Sequence, residues 1–373
     1  MAGIYIHIPF CKQACHYCDF HFSTSLHKSD AMLGAICKEL ILRKKELTRP
    51  IETIYFGGGT PSLLSPLQID LVLQTVYDNF TVVDSPEITL EANPDDLTDA
   101  KISALSSSKI NRLSIGIQSF FEEDLKLMNR AHNQAEALDC ITNAKQYFKN
   151  ISIDLMYGIP QMSPQRWQEN IEKALSLEVP HISCYVLTVE PKTALERFIK
   201  KGIIHPVDDT VAAKHHAVLV EKTAAVGYHN YEFSNFCIPG WESQSNSSYW
   251  MRKPYLGVGP SAHSYDVVSR SWNVSNNSRY IKSIEKGVAP LTTEILTTEN
   301  QYNEYIMTRL RTASGMSIDE IGSFFGLKFQ EYLKQNIQQH IALGLLICKG
   351  DVIKATKKGK FLTDGIAADL FMI

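Results

Sequence analysis

The chain lacks several features that would assign it to a familiar class at once. Its 373 residues include no apolar run near the roughly 18 residues that a membrane-spanning helix needs. Basic charge is not in excess, since 37 Lys and Arg residues face 40 Asp and Glu residues and the net charge is −3. Binding a phosphate backbone through charge requires such an excess. We therefore expect no nucleic-acid partner, and any membrane contact would be only peripheral.

Disulfide frameworks, repeats and low-complexity segments are also missing from the sequence. Eight cysteines are present and only three lie close together, which is not the pattern of a disulfide-stapled secreted protein. The short apolar run at the amino terminus is not preceded by a basic region, so no signal peptide is indicated. Reduced thiols and a cytoplasmic location are therefore expected.

What the chain does contain is a regular alternation of short apolar runs and helical patterns. The runs predict strands at residues 4–8, 52–56, 87–90, 112–117, 151–156 and 181–187. Helical spacing lies between them at residues 29–48, 66–79, 97–108, 121–129, 134–148 and 164–176. This alternation predicts an α/β fold with a parallel sheet. Six such units suggest a partial (β/α)6 barrel, whose site forms at the carboxyl ends of the strands.

Two domains are expected. Residues 1–290 form the barrel together with an extension at 228–290 that is rich in aromatic residues, Ser and Asn. Within this extension, residues 228–265 are predicted to be irregular and residues 267–290 to be a surface connection. Residues 291–373 predict three helices, a hairpin and a terminal helix, which together resemble a helical, winged-helix-like domain. Because its basic residues are few, we expect it to pack on or cover the site rather than to read DNA.

The sharpest motif follows the first predicted strand directly. Cys11, Cys15 and Cys18 have the spacing CxxxCxxC. Three thiolates are one fewer than a closed zinc site or a fully protein-ligated iron–sulfur cluster uses. One interpretation is a structural zinc knuckle completed by His7 or His16. The other is a 4Fe–4S cluster that leaves one iron open to an outside molecule.

Glycines and polar side chains come after the later strands. Residues 57–61, Gly-Gly-Gly-Thr-Pro, allow the backbone to approach a ligand closely. Glu91 ends the third strand, where a carboxylate can accept both hydrogen bonds of a ribose diol. Gln118, Arg130 and Asp154 lie at or just beyond later strand ends. As a set around one barrel mouth, these residues predict a site for a small charged molecule with an amino-acid end and a sugar end.

Together these motifs resemble the radical S-adenosylmethionine (SAM) proteins, and more narrowly the oxygen-independent coproporphyrinogen III oxidase group. The resemblance rests on the cysteine spacing with Tyr17 before the last cysteine, and on the segments at 57–61, 91–94 and 154–160. It covers nearly the whole chain and implies a 4Fe–4S cluster on the three cysteines, with SAM at the open iron. The SAM contacts that it implies are Tyr5, Tyr17, Gly57, Gly58, Gly59, Thr60, Glu91, Gln118, Arg130 and Asp154.

The chemistry implied by this resemblance is one-electron reduction of SAM by the cluster, which gives methionine and a 5′-deoxyadenosyl radical. Such a reaction also implies a one-electron donor such as a flavodoxin or ferredoxin.

Two departures from the oxidases favour the heme-carrying branch of the group. The oxidases resemble CxxxCxxCxC, but Phe20 stands here in place of the added cysteine, and only ten residues precede Cys11 where the oxidases carry a long arm. Members of the branch bind heme and hand it to apo-proteins without the oxidase reaction. The resemblance therefore implies heme or porphyrin as cargo and heme-accepting proteins as partners. The alternatives are the oxidase itself and a radical SAM enzyme acting on RNA, which the acidic balance disfavours.

The heme motif of that branch, His-Asn-x-x-Tyr-Trp, is matched only in part, because Ser245 occupies the histidine position. Serine is a poor iron ligand compared with imidazole. Other candidate ligands nearby are His229, His263 and Cys237. The predicted heme residues are Asn246, Tyr249, Trp250 and His263. The other interpretation is that Tyr249 and Trp250 anchor the C-terminal domain.

Overall fold

A computed structural model describes residues 1–206 and 208–373. Six strands of the first half lie side by side and parallel, and a helical crossover joins each of the first five to the next. The strands are β1 (Ala2–Ile8), β2 (Ile51–Gly58), β3 (Val82–Ala92), β4 (Arg112–Gln118), β5 (Asn150–Tyr157) and β6 (His181–Val186). The helices are α1 (Ser29–Arg43), α2 (Pro66–Asn79), α3 (Asp99–Ser106), α4 (Glu122–Met128), α5 (Gln134–Tyr147) and α6 (Pro164–Ser176). The predicted partial (β/α)6 barrel is confirmed.

Helices α2 and α5 begin at capping residues that are visible in the sequence. The Ser65 side chain accepts a hydrogen bond from Gln68 N, and the Gln68 side chain accepts one from Ser65 N. Asn133 and Glu136 form the same reciprocal pair. Such pairs satisfy backbone N–H groups that the first turn of a helix leaves free, so both helices begin close to where the sequence predicts.

Residues 228–290 extend the sheet at both edges instead of forming an irregular segment and a surface connection. The added strands are β7 (His229–Asn230), β8 (Asn235–Cys237), β9 (Tyr255–Val258), β10 (His263–Tyr265), β11 (Ser269–Asn273) and, just beyond, β12 (Leu291–Ile295). β8 and β7 lie beyond β6, and β9 pairs parallel with β1, so the described sheet has twelve strands. The prediction was wrong because strands of two to five residues are too short to show an alternating pattern.

Four further helices accompany these strands: α7 (Ala194–Lys200), α8 (Asp209–Ala225), α9 (Gln244–Trp250) and α10 (Asn277–Glu285). Helix α9 lies across the amino-terminal ends of the parallel strands. Ser248 Oγ donates to Glu52 Oε1 at 3.4 Å near the start of β2, and Gln244 N donates to Glu87 Oε2 at 2.9 Å on β3. The barrel is therefore closed by α9 at the end opposite the cysteine loop.

The C-terminal part of the chain is a helical, winged-helix-like unit, as predicted. Its elements are α11 (Thr298–Leu310), β13 (Met316–Ser317), α12 (Ile318–Phe325), α13 (Leu327–Ala342), β14 (Leu346–Lys349), β15 (Val352–Ala355) and α14 (Thr363–Asp369). They enclose a buried apolar cluster of their own. The boundary at residue 291 stays a prediction, and β12 pairs with β11 of the large sheet. Across the described ranges, we find no helix with both the length and the apolar character that crossing a bilayer requires.

Candidate functional site

The cysteine loop follows β1 and is held from two sides by backbone hydrogen bonds. Cys11 N donates to Ser23 O at 3.1 Å. His16 N donates to Met128 O at the end of α4 at 3.1 Å, and Leu195 N at the start of α7 donates to His16 O at 2.8 Å. Residues 11–20 belong to no helix or strand, so these contacts with two helix ends fix the position of the loop.

The two histidines considered for a zinc knuckle have other partners. His16 Nδ1 lies 2.8 Å from Leu127 O, and His7 Nε2 lies 2.9 Å from His21 O while its Nδ1 contacts Tyr5 OH at 3.2 Å. Both ring nitrogens of His7 and Nδ1 of His16 therefore already have partners within the protein. Within residues 1–206 and 208–373, no three His, Cys, Asp or Glu side chains form a single-ion site. Thiolates that bind separate irons of one cluster do not need to meet at a point.

The three cysteines form a suitable donor set for such a cluster. All are free and partly exposed. Burial raises the pKa of the Cys11 thiol, and it raises the pKa of Cys18 to about 12. Metal ligation needs the thiolate, so a bound metal displaces these protons. Arg130 Nη1 lies 3.5 Å from Cys15 Sγ and places a positive charge beside this ligand position. The residues therefore fit three thiolate ligands and one open iron.

The loop borders a cavity of about 660 Å³ inside the barrel. This volume lies in the range of roughly 300–1,000 Å³ that small-molecule sites occupy. The predicted site residues that line it are Tyr5, Cys11, Cys15, Tyr17, Cys18, Gly58, Gly59, Thr60, Glu91, Gln118, Arg130, Asp154, Asn246 and Tyr249. The structure thus gathers side chains from strand ends far apart in sequence, and their assignment to SAM stays a prediction.

The glycine turn after β2 packs directly against the cysteine loop. A Cβ on Gly59 would lie 2.6 Å from Phe10 O and 3.0 Å from Cys11 Sγ. Gly58 has φ +112°, and a Cβ there would lie 2.7 Å from the His7 ring. Only glycine allows this approach and this backbone conformation, so the turn and the loop form one unit.

Glu91 is buried and hydrogen-bonded in the cavity. Tyr55, which the sequence analysis missed, donates its hydroxyl to Glu91 Oε1 at 2.7 Å. Burial raises the pKa of Glu91 to about 7, although the Tyr55 hydrogen bond acts in the opposite direction. Gly57 does not line the cavity, but a Cβ there would lie 3.2 Å from Glu91 Oε1. Gly57 therefore leaves space for the carboxylate.

Arg130 and Gln118 occupy the rim of the cavity. Arg130 Nη2 donates to Asn93 Oδ1 at 2.6 Å and to Gly116 O at 2.8 Å. Gln118 has φ +68°, a left-handed conformation that is uncommon outside glycine and often found at functional sites. The sequence analysis included Asn93 only as part of the segment 91–94 and predicted no contact for its side chain.

One strand lines the cavity with every second residue. Arg112, Ser114, Gly116 and Gln118 of β4 all face it, as the two-residue period of a strand requires. Ser114 Oγ donates to Asp154 Oδ1 at 3.3 Å. The cavity residues that the sequence analysis missed include Tyr55, Asn93, Arg112, Ser114, Ser183, Asn235 and Ser243. The alternation along β4 could have indicated two of these residues, Arg112 and Ser114.

The structure does not bring the predicted heme residues together. Asn246 and Tyr249 line the cavity. The Trp250 ring instead lies 5.5 Å from the Arg311 guanidinium of the C-terminal unit. His263 is exposed on β10 and stacks on Trp272 at 5.8 Å, outside the cavity.

Ser245, which replaces the motif histidine, and the other candidate iron ligands His229 and Cys237 also lie apart from these residues. Ser245 is only 5% exposed, and its N–H donates to Glu87 Oε1 at 2.8 Å at the start of α9. His229 is exposed on the edge strand β7, and Cys237 is fully buried in β8. None of the three lines the large cavity.

Comparison with known proteins agrees with this architecture. The sequence pattern of the Radical SAM superfamily matches residues 5–200, and that of the HemN C-terminal domain matches residues 296–362. The heme chaperone HemW of Bacillus subtilis is 35% identical, over 97% of this chain and 97% of that protein. HemW of Lactococcus lactis is 32% identical over the same shares. The solved coproporphyrinogen III oxidase (HemN) of Escherichia coli has a TM-score of 0.85 at 22% identity, covering 100% of this chain and 90% of that one, and shows the fold.

Proposed function

Because the chain belongs to the radical SAM superfamily and, within it, to the HemW family, we propose that it binds heme and delivers it to acceptor proteins. The observation that carries the proposal is a single cavity shared by two sets of residues. It contains the three free cysteines together with Asn246 and Tyr249 of the partial heme motif. Cluster, SAM and heme would then act within one barrel.

The residues around the cavity have distinct roles in this proposal. Cys11, Cys15 and Cys18 would hold a 4Fe–4S cluster. The cluster with SAM supplies one-electron reductive chemistry when both are bound. Glu91 accepts hydrogen bonds from the ribose hydroxyls, and the buried Arg130 sets positive charge beside Cys15. The one-electron donor and the cytoplasmic location remain predictions.

The direct test is a heme titration of the full chain with its cluster reconstituted under anaerobic conditions. We expect saturable binding of one heme per chain, followed in the Soret band. Tyr249→Leu should weaken this binding, because Tyr249 lines the cavity. Tyr147→Leu is the matched control, since Tyr147 is 48% exposed on α5 and does not line the cavity. Heme that binds the wild type without saturation contradicts the proposal.

Delivery requires a second measurement. The heme-loaded chain is mixed with an apo-heme protein, and the spectrum of the acceptor is followed after separation of the two proteins. Transfer from the loaded chain should be faster than from free hemin at the same concentration. Equal rates would mean that the chain stores heme without delivering it.

A second candidate function is oxidative decarboxylation of coproporphyrinogen III. The observation that favours it is that the residues implied for SAM converge on one cavity, which a simple carrier does not need. Phe20 counts against it, because it is 68% exposed at the cavity border where the oxidases place a further cysteine. Anaerobic incubation with coproporphyrinogen III, SAM and a reductant decides between them. Repeated turnover to protoporphyrinogen would replace the carrier function by the oxidase function.

A further inference from the structure

Arg112 is a charged side chain for which neither the fold nor the predicted SAM site has a use. It opens β4, lines the cavity and is only 2% exposed. Its Nε has no hydrogen-bond partner among the residues that the structure describes. Burial of an unpaired guanidinium is costly, and arginine is rarely buried unless it is paired. An arginine of this kind that faces a cavity indicates a negatively charged ligand group.

Besides the carboxyl groups of Glu91 and Asp154, whose pKa values its charge lowers, Arg112 lies near neutral hydrogen-bonding groups. Burial lowers the pKa of His181, and the positive charge of Arg112 lowers it further. His181 Nε2 lies 2.9 Å from Tyr231 OH, and Asn246 Nδ2 donates to the same hydroxyl at 3.2 Å. We call the following residues, which line the same cavity, its floor: Arg112, Ser183, Asn235, Ser243, Asn246 and Tyr249. The floor offers hydroxyl and amide groups around one cation, which suits a carboxylate.

The simpler explanation is that Arg112 only balances Glu91 and Asp154. Both carboxyl groups are close enough for its charge to lower their pKa, yet both pKa values stay raised because burial dominates. Glu91 accepts its hydrogen bond from Tyr55, and Asp154 accepts its hydrogen bonds from Ser114. Long-range balance of this kind still leaves Arg112 Nε without an acceptor in the part of the chain that the structure describes.

The position of Arg112 also separates it from the expected carboxylate of SAM. Arg112 and Gln118 begin and end β4, and six residue steps at about 3.3 Å place their Cα atoms roughly 20 Å apart. SAM is expected to bring its own carboxylate to the cysteine loop, which lies at the Gln118 end. A SAM molecule bound in this way has no carboxylate to offer at the floor.

We propose that the floor is a binding subsite for a carboxylate of the cargo, and that Arg112 holds a propionate of the porphyrin. This inference rests on the proposed heme-binding function and assigns a site to it. The guanidinium can donate two parallel hydrogen bonds to one carboxylate. The macrocycle then lies against Tyr249 and extends towards the mouth of the cavity.

The test compares two probes on the full chain with its reconstituted cluster: protoporphyrin IX and its dimethyl ester, which lacks the two charges. The wild type should bind the free acid more tightly than the ester. Arg112→Gln should weaken binding of the acid by roughly tenfold to a hundredfold, which is what charge-assisted hydrogen bonds contribute. Binding of the ester should change by less than about twofold, since it makes no such ion pair.

Arg166→Gln is the matched control, because Arg166 pairs with Asp124 at 3.0 Å away from the cavity. SAM affinity, measured by calorimetry, should be the same in wild type and Arg112→Gln. If SAM binding weakens and porphyrin binding does not, Arg112 serves SAM and the inference is overturned.

The two proposals fail in different ways. A wild type that binds no porphyrin overturns the carrier function and the subsite together. A wild type that binds acid and ester equally keeps the carrier function and overturns only the subsite. Because the comparison of acid and ester uses only the wild type, it tests the carboxylate subsite even if Arg112→Gln does not fold.

Discussion

The two ends of the cavity are built in different ways. At the mouth, most functional residues lie at a strand end or just after one: the cysteines follow β1, the glycine turn ends β2, Glu91 lies near the end of β3 and Gln118 ends β4. At the floor, half of the six side chains come from α9 and the short strand β8, which reach the barrel by long-range contacts, and Ser243 caps α9. Function at the mouth is therefore encoded locally, whereas the floor depends on how distant segments dock.

The floor is also tied to the C-terminal unit, and the mouth is not tied to it in the same way. Ala313 N donates to Tyr231 O at 2.9 Å, and Glu232 forms a bridge with Thr312. Tyr231 in turn contacts Asn246 of α9. A change in the C-terminal unit should therefore affect the floor before it affects the cysteine loop.

The largest effect is expected from Cys15→Ser, which tests the mouth alone. The substitution removes one of three thiolate ligands, so iron content and visible absorption after reconstitution should fall almost to zero. Cys348→Ser is the matched control, because Cys348 is exposed on β14 of the C-terminal unit. Full iron content in Cys15→Ser would show that the three cysteines do not hold a cluster.

Gly59→Ala should have the next largest effect, because it strains the contact between the glycine turn and the loop. The added methyl group would meet Phe10 O at 2.6 Å, and overpacking of this kind costs about 1–3 kcal/mol. The free energy of unfolding of the cluster-free chain should fall by that amount, and iron uptake should fall with it. Gly34→Ala in α1 is the control, because nothing packs within 4 Å of the position that its methyl group would take. Equal losses in both variants would mean that the turn does not support the loop.

The mouth and the barrel could be predicted because their signals are short-range. Residues 112–117 show the apolar alternation of β4, and the cysteine spacing is complete within eight residues. Tyr55 was not predicted as a site residue because it lies between Ile54 and Phe56, and aromatic residues are common in buried strands. Whether a tyrosine faces a ligand or the core depends on packing that no single strand reveals.

The floor could not be predicted for a related reason. Asn235 belongs to a strand of three residues, and Ser243 caps a helix of seven. Elements of this length are stabilised by tertiary contacts rather than by their own propensity. Trp250 illustrates the same limit, because the sequence left open whether it contacts heme or anchors the C-terminal domain, and only the structure places it beside Arg311.

A smaller effect is expected from pH, acting through Glu91 at the mouth. Burial raises the pKa of Glu91 to about 7, so the carboxylate that accepts ribose hydroxyls predominates only above that pH. SAM affinity should therefore fall by up to about tenfold between pH 8 and pH 6. Tyr55→Phe removes a hydrogen bond that lowers this pKa, and should move the midpoint upward.

The variant Glu91→Gln distinguishes the pH effect that comes from ionisation of Glu91 from the effect that comes from ionisation of SAM. Its SAM affinity should be lower, and the part of the pH dependence that depends on Glu91 should disappear. Calorimetry at three pH values measures both effects. An unchanged pH profile in Glu91→Gln would remove Glu91 from the SAM site.

The smallest effect is expected from Trp250→Phe, which tests whether the floor and the C-terminal unit are joined. The Arg311 guanidinium lies 5.0 Å from the Phe233 ring and 5.5 Å from the Trp250 ring, and it pairs with Asp364 at 2.5 Å. A cation–π contact at a partly exposed position contributes about 0.5–1 kcal/mol, so stability should fall by no more than this in denaturant unfolding. Porphyrin affinity should change by less than about twofold, since the ring does not line the cavity. A tenfold loss of porphyrin affinity with unchanged stability would instead show that Trp250 contributes to porphyrin binding, as the heme motif predicted. The floor would then extend beyond Tyr249.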